Sequence, residues 1–141
     1  MSVEDVSLAD LDFLLDEVGD SLPKIANPKA KEHMAEVRRR IEEMKVAKVE
    51  IMHTESEFHR GNLTQDFYSM KHKQLTTDFI RARDSISNVH IPSLSQLAPD
   101  VQSKGRLTRL ASMVADNKEL VTGISQLIIS VVSIFAGTAS H

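Results

Sequence analysis

The chain has 141 residues, of which 17 are Lys or Arg and 20 are Asp or Glu, for a formal net charge of −3. This weakly acidic balance argues against bulk nucleic-acid binding, and the lack of cysteine excludes disulfides and thiolate metal sites. There are only five Gly, four Pro and one Tyr and no Trp, while Ala, Leu, Glu, Lys and Met recur in long stretches. This composition predicts an all-α fold.

Four prolines divide the chain, because the residue before a proline disfavours the helical conformation. They bracket two breaks, near residues 21–27 and 90–100. The predicted regions are an acidic amphipathic helix with its linker (1–27), a coiled-coil helical hairpin (28–91), and a linker followed by a hydrophobic C-terminal assembly helix (92–141). Together they predict a helical bundle built on a long antiparallel coiled-coil hairpin. The acidic N-terminus lacks the pattern of a signal peptide, so we expect the cytoplasmic side of a membrane or an assembled particle.

The N-terminal region predicts a short acidic helix that begins after the N-cap Ser7. Seven acidic residues and no basic residue precede Lys24. The stretch LDFLLDEV at residues 11–18 resembles the LD motif of paxillin-type adaptors, with Val18 where that family prefers Leu. The favoured interpretation is that this helix packs on the chain's own bundle or on a neighbouring subunit. The resemblance instead implies partner docking through Leu11, Leu14, Leu15 and Val18.

The second region carries two hydrophobic seams with heptad spacing, separated by the turn signal Gly61-Asn62 and the N-cap Thr64. Two seams joined by a short turn predict an antiparallel coiled-coil hairpin. Lys48 and Glu55 interrupt the first seam and His72 the second, so we expect pairing among them to set the register. The apolar seam residues are Met34, Val37, Ile41, Met44, Ile51 and Phe58 in the first helix and Tyr68, Leu75, Phe79 and Ile86 in the second.

No pattern predicts catalysis, a cofactor or a small-molecule substrate. No glycine-rich elbow or phosphate loop frames a Ser or Thr. The run Arg38-Arg39-Arg40 is predicted to be a solvated helix face, or an electrostatic dock for the acidic helix, rather than a nucleic-acid contact. No metal site is predicted either, because a di-metal bundle needs Glu and His ligands converging inward, whereas the i,i+4 pairs here occupy two different helix faces: His53, Glu55, Glu57 and His59.

The C-terminal region combines a continuous heptad pattern with a loss of charge. No charged residue follows Glu119, and the pattern runs unbroken across residues 107–135 through Asn117. It predicts one long amphipathic helix with a broad apolar face. The residues predicted to bury that face against other subunits or lipid are Leu107, Leu110, Val114, Val121, Ile124, Leu127, Ile128, Val131, Ile134 and Phe135.

The apolar face of this predicted helix exceeds what a lone chain of this size is expected to cover. The prediction is therefore a non-enzymatic assembly protein that forms a homo-oligomer or joins a helical partner protein, as in a structural subunit of a filament, virion or secretion assembly. One alternative is a membrane-anchored or membrane-active protein that inserts residues 120–137. The other is a soluble adaptor or chaperone that docks through the acidic helix at residues 8–22.

Overall fold

The computed structural model describes residues 3–136, and within that range the chain is built of helices without a strand. The predicted all-α class is confirmed. None of the helices in this range is long and apolar enough to cross a membrane, and the last residue of the predicted insertion segment 120–137 lies outside it. The α-helices are α1 (Leu8–Ser21), α2 (Pro28–His59), α3 (Gln65–Ser85), α4 (Ile91–Leu97), α5 (Val101–Val114) and α6 (Leu120–Phe135), with 3₁₀ turns at Val3–Asp5 and Leu22–Lys24 and a π-helical turn at Ile86–His90.

The two longest helices, α2 and α3, form a helical hairpin. Asn27 caps α2, because its side-chain oxygen accepts hydrogen bonds from two N–H groups of the first turn, both at 3.0 Å. The chain reverses at Gly61, whose φ of +81° is a conformation that glycine adopts without strain. Thr64 then starts α3 by accepting a hydrogen bond from the Phe67 N–H at 3.2 Å. The turn at Gly61 and the cap at Thr64 therefore lie where the sequence predicts them.

Contacts near the turn hold the register of the hairpin. The rings of Phe58 and Tyr68 stack with their centroids 4.2 Å apart, and one turn further in Glu55 Oε1 lies 3.6 Å from His72 Nε2. Glu55 and His72 therefore make the polar pairing expected between the seams. Between residues 55 and 74 every side chain is exposed or half-buried, so this end of the hairpin projects beyond the rest of the bundle.

The acidic helix α1 packs along α2. Asp12 Oδ1 lies 2.6 Å from Lys45 Nζ, and Arg38 Nε donates a hydrogen bond to the Leu15 carbonyl at 3.3 Å. Ahead of α1, the buried Lys48 does not pair within the seam, because its Nζ donates to the Val3 carbonyl at 3.1 Å. Lys45 thus pairs with the acidic helix, whereas the arginine run at residues 38–40 pairs with glutamates of α2 itself.

The single C-terminal helix predicted across residues 107–135 is wrong, because the chain forms two helices, α5 and α6, separated by a turn at residues 115–119. Asp116 Oδ1 accepts a hydrogen bond from the N–H two residues on at 2.9 Å. Asn117 Oδ1 accepts one from Arg83 Nη1 at 2.7 Å. Asp and Asn favour turns because their side chains offer the backbone such alternatives to helical hydrogen bonds.

The two C-terminal helices run antiparallel and very close together. A Cβ placed on Gly123 of α6 would lie 3.0 Å from Val114 Cγ2 and 3.1 Å from Met113 Cβ of α5. The space beside Gly123 is therefore already filled by α5. A glycine here lets the two backbones approach at the start of α6.

The second predicted break, near residues 90–100, is shorter than expected. The π-helical turn leads directly into α4, and only residues 98–100 leave the helical conformation. Pro92 is the second residue of α4 and directly follows the π-helical turn. Ser87 Oγ donates to the Ala111 carbonyl at 2.6 Å and ties the π-helical turn to α5, while Asp100 caps α5.

Candidate assembly surface on the C-terminal helix

The apolar side of α6 is covered by the chain itself. α6 packs against α5 and α1 and lies between them. Burying one large apolar side chain contributes about 1.5–3 kcal/mol, so α6 is part of the core of the single chain. Of the ten predicted assembly residues, eight are buried and Val121 and Ile134 are half-buried. The buried ones are Leu107, Leu110, Val114, Ile124, Leu127, Ile128, Val131 and Phe135.

The outward side of α6 remains exposed and carries no charge. We call it the neutral face, and its exposed residues are Thr122, Gln126, Ile129, Ser133 and Ala136. Ile129 lies at its centre with 69% of its surface exposed. Sequence reasoning missed Ile129 because it lies off the heptad seam. Ile129 could have been found as the isoleucine that interrupts the Thr, Gln and Ser residues on the polar side of the predicted helix.

One flank of the neutral face is basic. A groove of about 300 Å³ between α5 and α6 is lined by Arg106 and Arg109 on one side and by Gln126 and Ile129 on the other. α5 carries three basic residues and no acidic residue. The exposed isoleucine therefore lies directly beside positive charge.

The other flank is acidic. α1, the second neighbour of α6, carries five acidic residues and no basic residue. The N–H of Ala26 donates to the Phe135 carbonyl at 3.1 Å, so the C-terminal ends of α1 and α6 lie at the same end of the bundle. Glu17 and Asp20, in the second half of α1, are both exposed. The neutral face thus separates a negative helix from a positive one.

Comparisons with protein-family models, curated proteins and solved structures returned no match to the chain. The functional proposal therefore rests on the chain's own contacts, burial and charge.

The other predicted site residues lie in the interior or on the hairpin. The docking residues of α1, namely Leu11, Leu14, Leu15 and Val18, are all buried inside this chain. Among the seam residues, Phe58 and Tyr68 are half-buried near the turn. The remaining seam residues are buried: Met34, Val37, Ile41, Met44, Ile51, Leu75, Phe79 and Ile86.

A pair of histidines joins α2 to the π-helical turn. The Nδ1 atoms of His33 and His90 lie 3.3 Å apart, so one ring donates a hydrogen bond to the other. Burial lowers the pKa of His90, the positive charges of His33, Arg40 and Arg39 lower it further, and Glu36 opposes them. His90 Nε2 is buried without a hydrogen-bond partner in the part of the chain that the structure describes. The folded state therefore favours neutral His90.

A second groove, of about 610 Å³, runs between α2 and α3. Its floor includes Ala47, Leu75 and Ala82. The groove is lined by three arginines and three carboxylates, and Arg40 pairs with Glu43 at 2.7 Å. Mixed charge of this kind selects no single class of ligand, so the groove carries no functional assignment.

Proposed function

We propose that this chain is a non-enzymatic assembly protein that oligomerises through the neutral face of its C-terminal helix. The observation that carries the proposal is the 69% exposure of Ile129 at the centre of a face without charge. Charged residues make up 26% of the chain, yet none occurs in α6. The core of a protein–protein interface is likewise depleted of charged residues.

The free energy of association gained by covering one side chain is modest, and it is larger when the whole neutral face is covered. Covering the exposed part of Ile129 contributes about 1–2 kcal/mol. The small polar side chains around it, Thr122 and Ser133, cost little to desolvate once they hydrogen-bond to their own helix or to a partner. The groove beside Arg109 offers a concave receptor for an apolar side chain of the opposing surface.

In the same proposal the α2–α3 hairpin is an antiparallel coiled coil that serves as the scaffold of the assembly. The stacked rings of Phe58 and Tyr68 and the Glu55–His72 contact support this arrangement. The adaptor function has less support, because the docking residues of α1, including Leu11 and Leu14, lie in the core.

The test compares two exposed apolar residues by the same substitution. Ile129→Asp places a charge in the neutral face, whereas Val46→Asp places one on the outer side of α2, where the side chain is 64% exposed. We expect the wild-type chain and Val46→Asp to increase in mass with concentration in multi-angle light scattering, while Ile129→Asp remains monomeric. The proposal is contradicted if the wild-type chain is monomeric throughout, or if the two variants behave alike.

A further inference from the structure

The two flanks of the neutral face carry opposite charge that is available to a second chain. Glu17, Asp20 and Arg109 are exposed, and none of them forms an ion pair with another residue of the range 3–136. Arg106, half-buried beside Arg109, adds positive charge to the same groove. Charges arranged in this way select a partner whose surface carries the same two signs in exchanged positions.

A second copy of this chain meets that requirement under one particular symmetry. Resting on the proposed function, we infer that two copies pair through their neutral faces about a twofold axis that runs along α6, with the two α6 helices parallel. Such an axis exchanges the left and right flanks of the face and preserves height along the helix. The acidic α1 of each copy then lies opposite the basic α5 of the other, and this contact occurs twice.

The alternative symmetry places like charges together. A twofold axis across α6 makes the helices antiparallel and sets α1 against α1 and α5 against α5. Like charges that face each other at an interface disfavour the complex. The charge pattern of α1 and α5 therefore favours the parallel pairing and disfavours the antiparallel one.

Charge reversal tests the pairing. The acid-reversed variant carries Glu17→Lys and Asp20→Lys, the base-reversed variant carries Arg106→Glu and Arg109→Glu, and the charge-swapped variant carries all four substitutions. The charge-swapped chain keeps the formal net charge of −3, because two Lys replace two acids and two Glu replace two Arg. Glu32→Lys with Glu50→Lys, both exposed on α2, is the control with the same change of charge as the acid-reversed variant.

Dimerisation is measured by sedimentation velocity at low salt, with circular dichroism to establish that each chain is folded. We expect each single reversal to weaken dimerisation about tenfold or more. The charge-swapped chain should dimerise as the wild type does, because the two introduced lysines of each α1 then face the two introduced glutamates of the other copy's α5. The charge-swapped and wild-type chains should not pair with each other. The control should dimerise as the wild type does.

Three results overturn the inference. If the single reversals dimerise as tightly as the wild type, the flanks do not face each other, although loss of dimer in Ile129→Asp would still support the proposed function. If the charge-swapped chain remains as weak as the single reversals, the losses come from something other than α1–α5 pairing. A wild-type chain that never dimerises contradicts the proposed function as well, so the two failures are distinguishable.

Discussion

Two glycine-to-alanine substitutions should change stability in opposite directions. Gly105 lies inside α5, is exposed, and has no heavy atom within 4 Å of the position its Cβ would occupy. Gly123 lies in α6 with its Cβ position 3.0 Å from Val114 Cγ2 and 3.3 Å from the Val114 backbone N. Gly105→Ala should therefore stabilise the fold, and Gly123→Ala should destabilise it.

The magnitudes follow from helix propensity and packing. Replacing glycine by alanine inside a helix raises the free energy of unfolding by about 0.5–1 kcal/mol where space is open. At Gly123 the same gain is opposed by overpacking, which costs about 1–3 kcal/mol. Because the neighbouring atoms include backbone and a Cβ, they yield little. We expect Gly123→Ala to lower stability by about 1 kcal/mol, which leaves the two variants about 2 kcal/mol apart.

Urea denaturation followed by circular dichroism measures both variants against the wild type. In thermal denaturation of the same variants, the midpoints should separate by several degrees, since about 1 kcal/mol corresponds to roughly 3 °C in a domain of this size. If the C-terminal region were one straight helix, Gly123 would have no α5 beside it. Stabilisation of equal size in both variants would therefore refute the antiparallel packing of α5 on α6.

Three further predictions concern the core, the C-terminal turn and the histidine pair. Ile124→Asp should unfold the chain, because it buries an unpaired charge. Gln126→Asp, on the exposed side of α6, should leave the thermal midpoint nearly unchanged. Equal losses of stability in the two variants would show that the neutral face is buried within the chain. Asn117→Ala should lower the free energy of unfolding by about 1.5–3 kcal/mol, because the largely buried Arg83 loses its acceptor, and a neutral result in urea denaturation would count against this turn contact. For His90, a pKa lowered in the folded state means that stability is fully present above the unfolded value of 6.5 and is lost as pH falls through the folded value. The wild type should therefore lose more stability below pH 6.5 than His90→Leu does, and parallel stability curves would contradict the argument.

The hairpin was predictable because several local signals agree on it. The seams of α2 and α3 each repeat with heptad spacing, and Gly61 and Thr64 supply the turn and the cap that separate them. Propensity, periodicity and turn chemistry all specify the same element.

The reversal between α5 and α6 was not predictable from periodicity. Asn117 occupies a heptad position, so the apolar spacing is the same before and after the turn. Only the polar run around Asp116 signals the break, and such residues also occur on exposed helix surfaces. What decides between the two conformations is tertiary: Arg83 of α3 donates to Asn117, and α5 fits against Gly123. The heptad spacing of apolar residues carries no information about those contacts.

The same reversal explains why the candidate site differs from its prediction. A lone straight helix would expose the face containing Ile124 and Leu127 to a partner, whereas the folded-back helix buries that face and presents Ile129. Pro92 does not produce the predicted break, because the helical conformation continues through it from the π-helical turn into α4. The absence of charged residues after Glu119 is visible in the sequence, and in the folded chain it produces the neutral face of α6.

The most direct test of the neutral face as an assembly surface uses the absence of native cysteine. Ile129→Cys and Val46→Cys each introduce a unique thiol at a well-exposed position, 69% and 64% in the wild-type side chains. Alkylation with a maleimide is followed by mass spectrometry as the protein concentration rises. We predict that the thiol at position 129 becomes protected while the thiol at position 46 reacts at a constant rate. Equal and unchanging rates at both positions would contradict it.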